Sequence, residues 1–339
     1  MIRAHPLTLM QPDQPPKRFA LLKTILKWTL CLIVLYYVGR AIYGQFQESE
    51  IDLRDLRPDA RMLLLAAGCF ALMGTARAAS IRALTAAYGH PISHRMANAI
   101  NWIPQLGKYL PGKVASVVGA VWFLKQSNVP AAVGLSVIAT QAGLAVIIGF
   151  VLSAQLLFDV DVRRNYPYAW LLSIVALVAG ALLLHPKAFT RAFNTMLRLA
   201  RRPPLETVPR LRDFLRPVVC TTLMWLCAGL ALYFTTRAFV HVPLRGVPVF
   251  VSAAAVGITV GFLALFSPSG LGVREWVFLK VLPTVVAPSP LIGAAIIANR
   301  VLQTLVELVM AGLMTLLIRR QQPTAQVLPH ALSDPPQVL

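Results

Sequence analysis

Two interruptions in otherwise apolar segments hold the charged side chains best placed to do chemistry. The first interruption contains Gly107, Pro111 and Gly112, and two lysines, Lys108 and Lys113, lie within it. Proline and glycine end one helix here, and a new helix is expected to begin just after Lys113. The free N–H groups of a helix N-terminus, together with two lysines, favour an anion-binding site. The alternative is that both lysines extend to lipid headgroups at the membrane surface.

The second interruption contains Pro268, Gly270 and Gly272, followed closely by Arg274 and Glu275. A new helix is predicted to begin near residue 273, which puts both charges in its first turn. Ionisable residues at membrane depth cost about 2.5–3.5 kcal/mol each on insertion scales and usually face a cavity or each other. We therefore predict that Arg274 binds an anion and that Glu275 binds a proton or pairs with a cation. The alternatives are a purely structural Arg–Glu pair, or an arginine that reaches the outer interface.

The last apolar segment carries a polar stripe formed by Arg300, Gln303 and Glu307. Their spacing of three and four residues places them on one face of a helix. Such a face is expected to point into the bundle, where it either binds substrate or ties helices together by hydrogen bonds worth about 0.6 kcal/mol each. Arg77 and Arg82, near the end of another apolar segment, are instead predicted to be interfacial anchors.

The composition places these side chains in a membrane protein. Of 339 residues, 57% are hydrophobic and only 13% are charged, whereas soluble proteins have about 25% charged residues. This balance excludes a soluble enzyme and a disordered scaffold. The net charge of +19 indicates contact with the anionic cytoplasmic leaflet, and we expect no nucleic acid partner. The four cysteines lie in apolar stretches without neighbouring ligand residues, so we expect no metal, no disulfide and no cofactor.

Segments of about 20 apolar residues, the length needed to cross a bilayer, recur along the chain. The two interrupted segments, 97–124 and 247–287, are predicted to be re-entrant hairpins that enter from opposite sides, a pattern typical of the inverted repeats of transporters. The fold class is therefore an all-α polytopic membrane protein with about six full transmembrane helices plus two broken helical hairpins. The alternative is a bundle of proline-kinked full spans. The predicted full spans are 21–43, 62–84, 131–157, 168–185, 217–240 and 289–318.

The distribution of Lys and Arg predicts the orientation and the domain organisation. Residues 1–19 are predicted to be a cytoplasmic N-tail, residues 20–320 a single transmembrane domain, and residues 321–339 a disordered cytoplasmic tail. The connection 186–216 carries eight basic residues between apolar ones, so we expect it to lie against anionic lipids of the inner leaflet. Both termini are then cytoplasmic, and the acidic 44–61 loop lies outside.

Both interruptions resemble the sequence motifs of the lysylphosphatidylglycerol synthase transmembrane region family, whose members are also described as flippase-like domain proteins. The first reads Gly-Lys-Tyr-Leu-Pro-Gly-Lys from Gly107 to Lys113, and the second reads Pro-Ser-Gly-Leu-Gly-Val-Arg-Glu from Pro268 to Glu275. The second has one residue fewer between its proline and its first glycine than the family pattern. The resemblance covers most of the chain, from position 20 to 320, and implies a flippase domain without the soluble synthase domain of two-domain relatives.

The resemblance implies transport of a lipid between the leaflets of a bacterial-type cytoplasmic (inner) membrane. An integral-membrane transferase is one alternative, but the sequence offers few carboxylates at membrane depth for acid–base or metal chemistry. A non-catalytic subunit that binds a partner enzyme of envelope-lipid synthesis is another. We therefore expect a transporter rather than an enzyme, with an anionic phospholipid or lipid-linked headgroup as its substrate. The predicted binding residues are Lys108, Lys113, Arg274, Glu275, Arg300 and Glu307.

Overall fold

The computed structural model describes residues 57–109, 114–154, 210–264, 272–286 and 291–319, and also residues 156, 174, 178, 191, 194, 195, 198, 199 and 270. Its continuous stretches consist of α-helices joined by short loops and 3₁₀ turns, with no β-strand among them. The predicted all-α fold is thus confirmed. In chain order these helices are α1 (Ala60–Ala87), α2 (His94–Gln105), α3 (Val114–Gln126), α4 (Ala131–Ser153), α5 (Leu215–Arg237), α6 (Val247–Leu263), α7 (Val273–Val281) and α8 (Leu291–Arg319).

Within the described stretches, five helical segments are long and apolar enough to cross a membrane. Large apolar side chains on them, such as Leu64, Val309 and Leu316, are exposed, as a lipid-facing surface requires. The chain is therefore a multi-pass membrane protein. The five segments are Ala60–Ala87, Ala131–Ser153, Arg212–Arg237, Leu244–Leu263 and Leu291–Ile318.

Several predicted segments lie outside the described residues. These are the tails 1–19 and 321–339, the span 21–43, and the span 168–185 apart from residues 174 and 178. Of the basic connection 186–216, the structure describes residues 191, 194, 195, 198, 199 and 210–216. Its placement on a membrane surface stays a prediction.

The first interrupted segment forms a helical hairpin. Its helices α2 and α3 have 12 and 13 residues, fewer than the about 20 needed to cross a bilayer. They run antiparallel in close contact, since a Cβ atom on Gly119 would lie 3.1 Å from Cβ of Pro104. At the tip, a Cβ atom on Gly107 would lie 2.9 Å from the backbone nitrogen of Ser116, so only glycine fits there without a shift.

The second interrupted segment forms another antiparallel hairpin, made of α6 and α7. Gly261 on α6 faces Gly270 and Arg274, and a Cβ atom on Gly270 would lie 2.8 Å from Cα of Gly261. Gly270 and Gly272 have φ angles of +69° and +81°, which residues with a side chain rarely adopt. The absence of a side chain at Gly261 and Gly270 therefore lets the two arms touch. Helix α7 begins at Val273, as predicted, and has nine residues.

Helices α1 and α5 run antiparallel and define the two ends of the bundle. At one end the Asp59 N–H donates to Ala238 O over 2.9 Å, which joins the start of α1 to the end of α5. Towards the other end Ser80 Oγ lies 3.3 Å from Pro217 O and 3.1 Å from Thr221 Oγ1. The loop after α1 therefore lies at the end where α5 begins.

The two hairpins have their bases at these opposite ends. The base of the second hairpin packs in a core with Val242 and Ile292, at the end of the bundle marked by Asp59. The base of the first hairpin packs in a separate core with Tyr88 and Phe214, at the other end. Both tips thus point towards the middle of the bundle from opposite ends, which is the arrangement that the predicted re-entrant topology requires.

Candidate functional site

One face of α8 is polar and nevertheless buried in the bundle. Gln303 and Glu307 are 6% and 1% exposed, and Arg300 is half-buried. Gln303 Nε2 donates to Glu307 Oε1 over 2.9 Å, which links successive turns of the stripe. The stripe therefore faces inward, as its spacing predicts, and it meets the tips of both hairpins.

The tip of the first hairpin contacts α8 through Lys108. This lysine lies in the 3₁₀ turn Leu106–Tyr109, and its Nζ donates to Glu307 Oε1 over 2.5 Å. On the other side of the tip, Arg77 of α1 donates from Nη1 to Gln105 Oε1 over 2.6 Å. The first tip is thus held between α1 and α8, by a hydrogen bond to Arg77 on one side and an ion pair with Glu307 on the other.

The tip of the second hairpin contacts the same stripe nearer the start of α8. Arg274 Nη1 donates to Gln303 Oε1 over 2.7 Å, and Glu275 Oε1 lies 3.8 Å from Arg300 Nε. The other carboxylate oxygen, Glu275 Oε2, accepts from the backbone N–H of Gly272 over 2.7 Å. Glu275 therefore caps the N-terminus of α7 and also pairs with α8, and both it and Arg274 are buried.

The two tips and α8 border a cavity of about 380 Å³. Small-molecule sites in proteins have volumes of roughly 300–1,000 Å³. Among the described residues, the charged side chains on the cavity wall are four cations and one carboxylate, so this wall carries net positive charge and favours an anion. These side chains are Arg77, Lys108, Arg274, Arg300 and Glu307.

Arg77 is a cavity residue, whereas the sequence favours an interfacial anchor at this position. Helix α1 has 28 residues and continues to Ala87, beyond the predicted end of the span at residue 84, so Arg77 lies inside the helix rather than at its end. Arg82, closer to the end, donates from Nε to Ile92 O over 3.1 Å in the loop that follows. An arginine in the interior of a long apolar helix is a sequence signal for a buried site. This signal becomes clear once the full length of α1 is known.

The cavity wall also includes uncharged polar residues that the sequence patterns do not single out. They come from α2, α3, α4 and α6, and although Asn101 and Gln105 share one face of α2, no spacing in the sequence connects that face with the other helices. Their proximity follows only from the packing of the helices. These residues are Asn101, Trp102, Gln105, Ser116, Gln141 and Thr259.

Four predicted site and hinge residues lie outside the described part of the chain: Lys113, Pro111, Gly112 and Pro268. Helix α3 begins at the residue after Lys113, as the sequence predicts. The anion-binding role of Lys113 stays a prediction.

Comparison with known families agrees with the motifs at the two tips. Residues 25–311 match the family model described as the lysylphosphatidylglycerol synthase TM region. The matched range includes both hairpins and every described residue of the cavity wall. No curated protein matches the chain.

Proposed function

The chain belongs to the lysylphosphatidylglycerol synthase TM region family, which implies a membrane protein of lipid metabolism or transport, and from this premise we propose that it is a lipid flippase. Its substrate is an anionic phospholipid or an anionic lipid-linked headgroup. It moves this lipid between the leaflets of a bacterial-type cytoplasmic membrane. In this proposal both termini and the basic connection 186–216 face the cytoplasm, where they contact anionic lipids.

The single observation that carries the proposal is the positive cavity at which both hairpin tips meet. A phosphate in this cavity would meet Lys108 from one tip, Arg274 from the other and Arg300 from α8. Guanidinium groups bind phosphate oxygens through paired, charge-assisted hydrogen bonds, which suits the two arginines to this role. A headgroup held there has one hairpin on each side, and each hairpin has its base at a different end of the bundle.

Competition between the substrate and the cavity carboxylate provides a way to link binding to movement. Glu307 pairs with Lys108, so a phosphate that takes this lysine must displace the carboxylate. Glu275 pairs with Arg300, so a phosphate that binds this arginine must likewise displace Glu275. We assign these two carboxylates as groups that bind a proton when the substrate takes their cation partners. Both hairpin tips would then detach from α8 as a headgroup enters.

Reconstitution of the purified full chain in liposomes tests the proposal. We expect fluorescent phosphatidylglycerol to change leaflet at least about 10-fold faster than in empty liposomes, and faster than zwitterionic phosphatidylcholine. Arg274→Gln removes the guanidinium and should lower the rate by about 10-fold or more, the worth of a hydrogen bond to a charged group. Arg237→Gln is the matched control, because Arg237 bonds to Tyr233 on α5 and does not line the cavity.

The same liposomes separate the alternatives. A phosphatidylglycerol rate equal to that of empty liposomes would contradict the flippase proposal. A new lipid species found by mass spectrometry after incubation would instead indicate a transferase. A chain that leaves lipids unchanged and unmoved, yet co-purifies with an enzyme of envelope-lipid synthesis, would indicate a non-catalytic subunit.

A further inference from the structure

A chain of hydrogen bonds on α8 joins the two hairpin tips at the cavity. Arg274 of the second tip donates from Nη1 to Gln303 Oε1 over 2.7 Å, and Gln303 Nε2 donates to Glu307 Oε1 over 2.9 Å. Lys108 of the first tip donates to the same oxygen of Glu307 over 2.5 Å. Arg274, Gln303 and Glu307 are buried, so protein surrounds these bonds. The tips therefore share one network, and Gln303 is its middle member.

The neighbours of Gln303 fix the orientation of its amide. A guanidinium group only donates hydrogen bonds, and an ionised carboxylate only accepts them. The amide oxygen therefore faces Arg274 and the amide nitrogen faces Glu307, as the structure has them. A charged side chain at position 303 would repel one of these two partners, whereas a neutral amide serves both. Glutamine is thus suited to a position between a cation and a carboxylate.

Hydrogen bonds in this network compete at one atom and support each other at another group. At Glu307 Oε1 the donors Lys108 Nζ and Gln303 Nε2 share the electron density of one oxygen, so each weakens the bond of the other. The Gln303 amide accepts at one end and donates at the other, so a stronger bond at one end polarises it and strengthens the bond at the other end. Removal of Lys108 therefore tightens the bond between Gln303 and Glu307. The polarised amide then holds Arg274 more firmly.

We propose that Gln303 is a positioning residue that couples the two hairpin tips, so that release of one tip from α8 tightens the hold on the other. When a phosphate takes Lys108, the freed oxygen of Glu307 strengthens the hold on the second tip. A proton on Glu307 ends this hold, because a neutral carboxyl group is a weaker acceptor than a carboxylate. The tips then detach in turn. This order of events rests on the proposed function, whereas the coupling itself requires no transport.

Hydrogen exchange followed by mass spectrometry on the purified full chain in detergent measures how firmly each tip is held, because backbone N–H exchange reports local opening. Lys108→Met removes the contact of the first tip with Glu307. We expect exchange in peptides that cover residues 272–281 to become about 2-fold slower or more than in the unmodified chain. A network with a merely structural role predicts the opposite sign, since loss of one contact loosens its neighbours.

Two background variants assign the coupling to the Gln303 amide. Gln303→Met has a similar length but lacks the amide, so in this background Lys108→Met should no longer slow exchange at the second tip. Gln141→Met is the matched control, because Gln141 is also a buried amide on the cavity wall but accepts from Ser80 of α1 over 2.5 Å. In the control background the slowing should be unchanged. Slowing that persists in full without the Gln303 amide would mean that the tips interact only through their charges, and it would overturn the inference.

The reverse experiment needs no change at Gln303 and keeps the inference distinct from the flippase proposal. Arg274→Met should slow exchange in peptides that cover residues 106–109, because coupling between two sites is reciprocal. If both variants slow exchange at the opposite tip but no lipid changes leaflet in liposomes, the coupling is supported and transport is contradicted. If lipid changes leaflet and neither variant slows exchange at the opposite tip, transport is supported and the coupling is overturned.

Discussion

Lys108 and Glu307 lie 199 positions apart in the sequence, yet their side chains form an ion pair with 2.5 Å between Nζ and Oε1. This pair joins the tip of the first hairpin to the last helix. Glu307 is also the one carboxylate among the charged side chains on the described wall of the cavity. Its negative charge therefore offsets the repulsion among the four cations of the wall. Lys108, as one of those four cations, adds to that repulsion.

We predict that removing the carboxylate destabilises the protein more than removing the lysine. Glu307→Gln leaves Arg77, Lys108, Arg274 and Arg300 around one cavity, and breaking a buried pair from one side costs about 3–5 kcal/mol. Lys108→Met should cost less, because three cations still surround Glu307. The thermal unfolding midpoint in detergent measures the stability of both variants. Added phosphatidylglycerol should raise the midpoint of Glu307→Gln more than that of Lys108→Met. Equal thermal unfolding midpoints for the two variants would contradict this prediction.

Glu275 is expected to combine a structural role with a charge-dependent one. Glu275→Ala removes the acceptor for Gly272 N–H and should lower the free energy of unfolding by about 1 kcal/mol, as loss of a helix cap does. Glu275→Gln keeps an acceptor oxygen for Gly272 N–H but loses the charge beside Arg300, so it should lose less stability than Glu275→Ala and yet lose most transport. Midpoints and liposome rates for both variants check this, and normal transport by Glu275→Gln would show that the charge has no function.

The turn of the second hairpin should tolerate no side chain at Gly270. With φ at +69° and a Cβ position 2.8 Å from Cα of Gly261, Gly270→Ala should cost at least about 1–2 kcal/mol. Gly312→Ala is the control, because a Cβ atom there has nothing within 4 Å and the position is helical. The control should be neutral or slightly stabilising. Similar unfolding midpoints for the two variants would contradict the close approach of Gly270 to Gly261.

Labelling with a membrane-impermeant maleimide tests the re-entrant topology. Arg95→Cys and Gln126→Cys lie at the base of the first hairpin, and Arg245→Cys precedes the second; all three positions are exposed. In a chain whose own four cysteines are replaced by alanine, the first two should label from the cytoplasmic side and the third from outside. Labels from opposite sides for positions 95 and 126 would mean that the segment between them crosses the membrane once, as a kinked full span.

The positions of the helix breaks could be predicted from the sequence because proline, glycine and charge interrupt apolar runs. Helices α3 and α7 begin at Val114 and Val273, where the two interruptions predict. The inward face of α8 was likewise predictable, since the spacing of Arg300, Gln303 and Glu307 fits a helix and membrane lipid excludes such side chains.

The partners across the site could not be predicted, because they depend on how distant helices pack. No local pattern indicates that Lys108 meets Glu307, or that Arg274 meets Gln303. The uncharged polar residues of the cavity wall come from four helices, so their proximity likewise follows only from how those helices pack.

The contacts of both tips on α8 lie between Arg300 and Glu307, a stretch that rises only about 10 Å along a helix axis. The hydrocarbon core of a bilayer is about 30 Å thick. An anionic headgroup held at this level lies within the membrane electric field, and moving it through the full transmembrane potential involves about 2.3 kcal/mol per elementary charge per 100 mV. A potential that is negative inside then drives the headgroup outward and adds to whatever the carboxylates contribute.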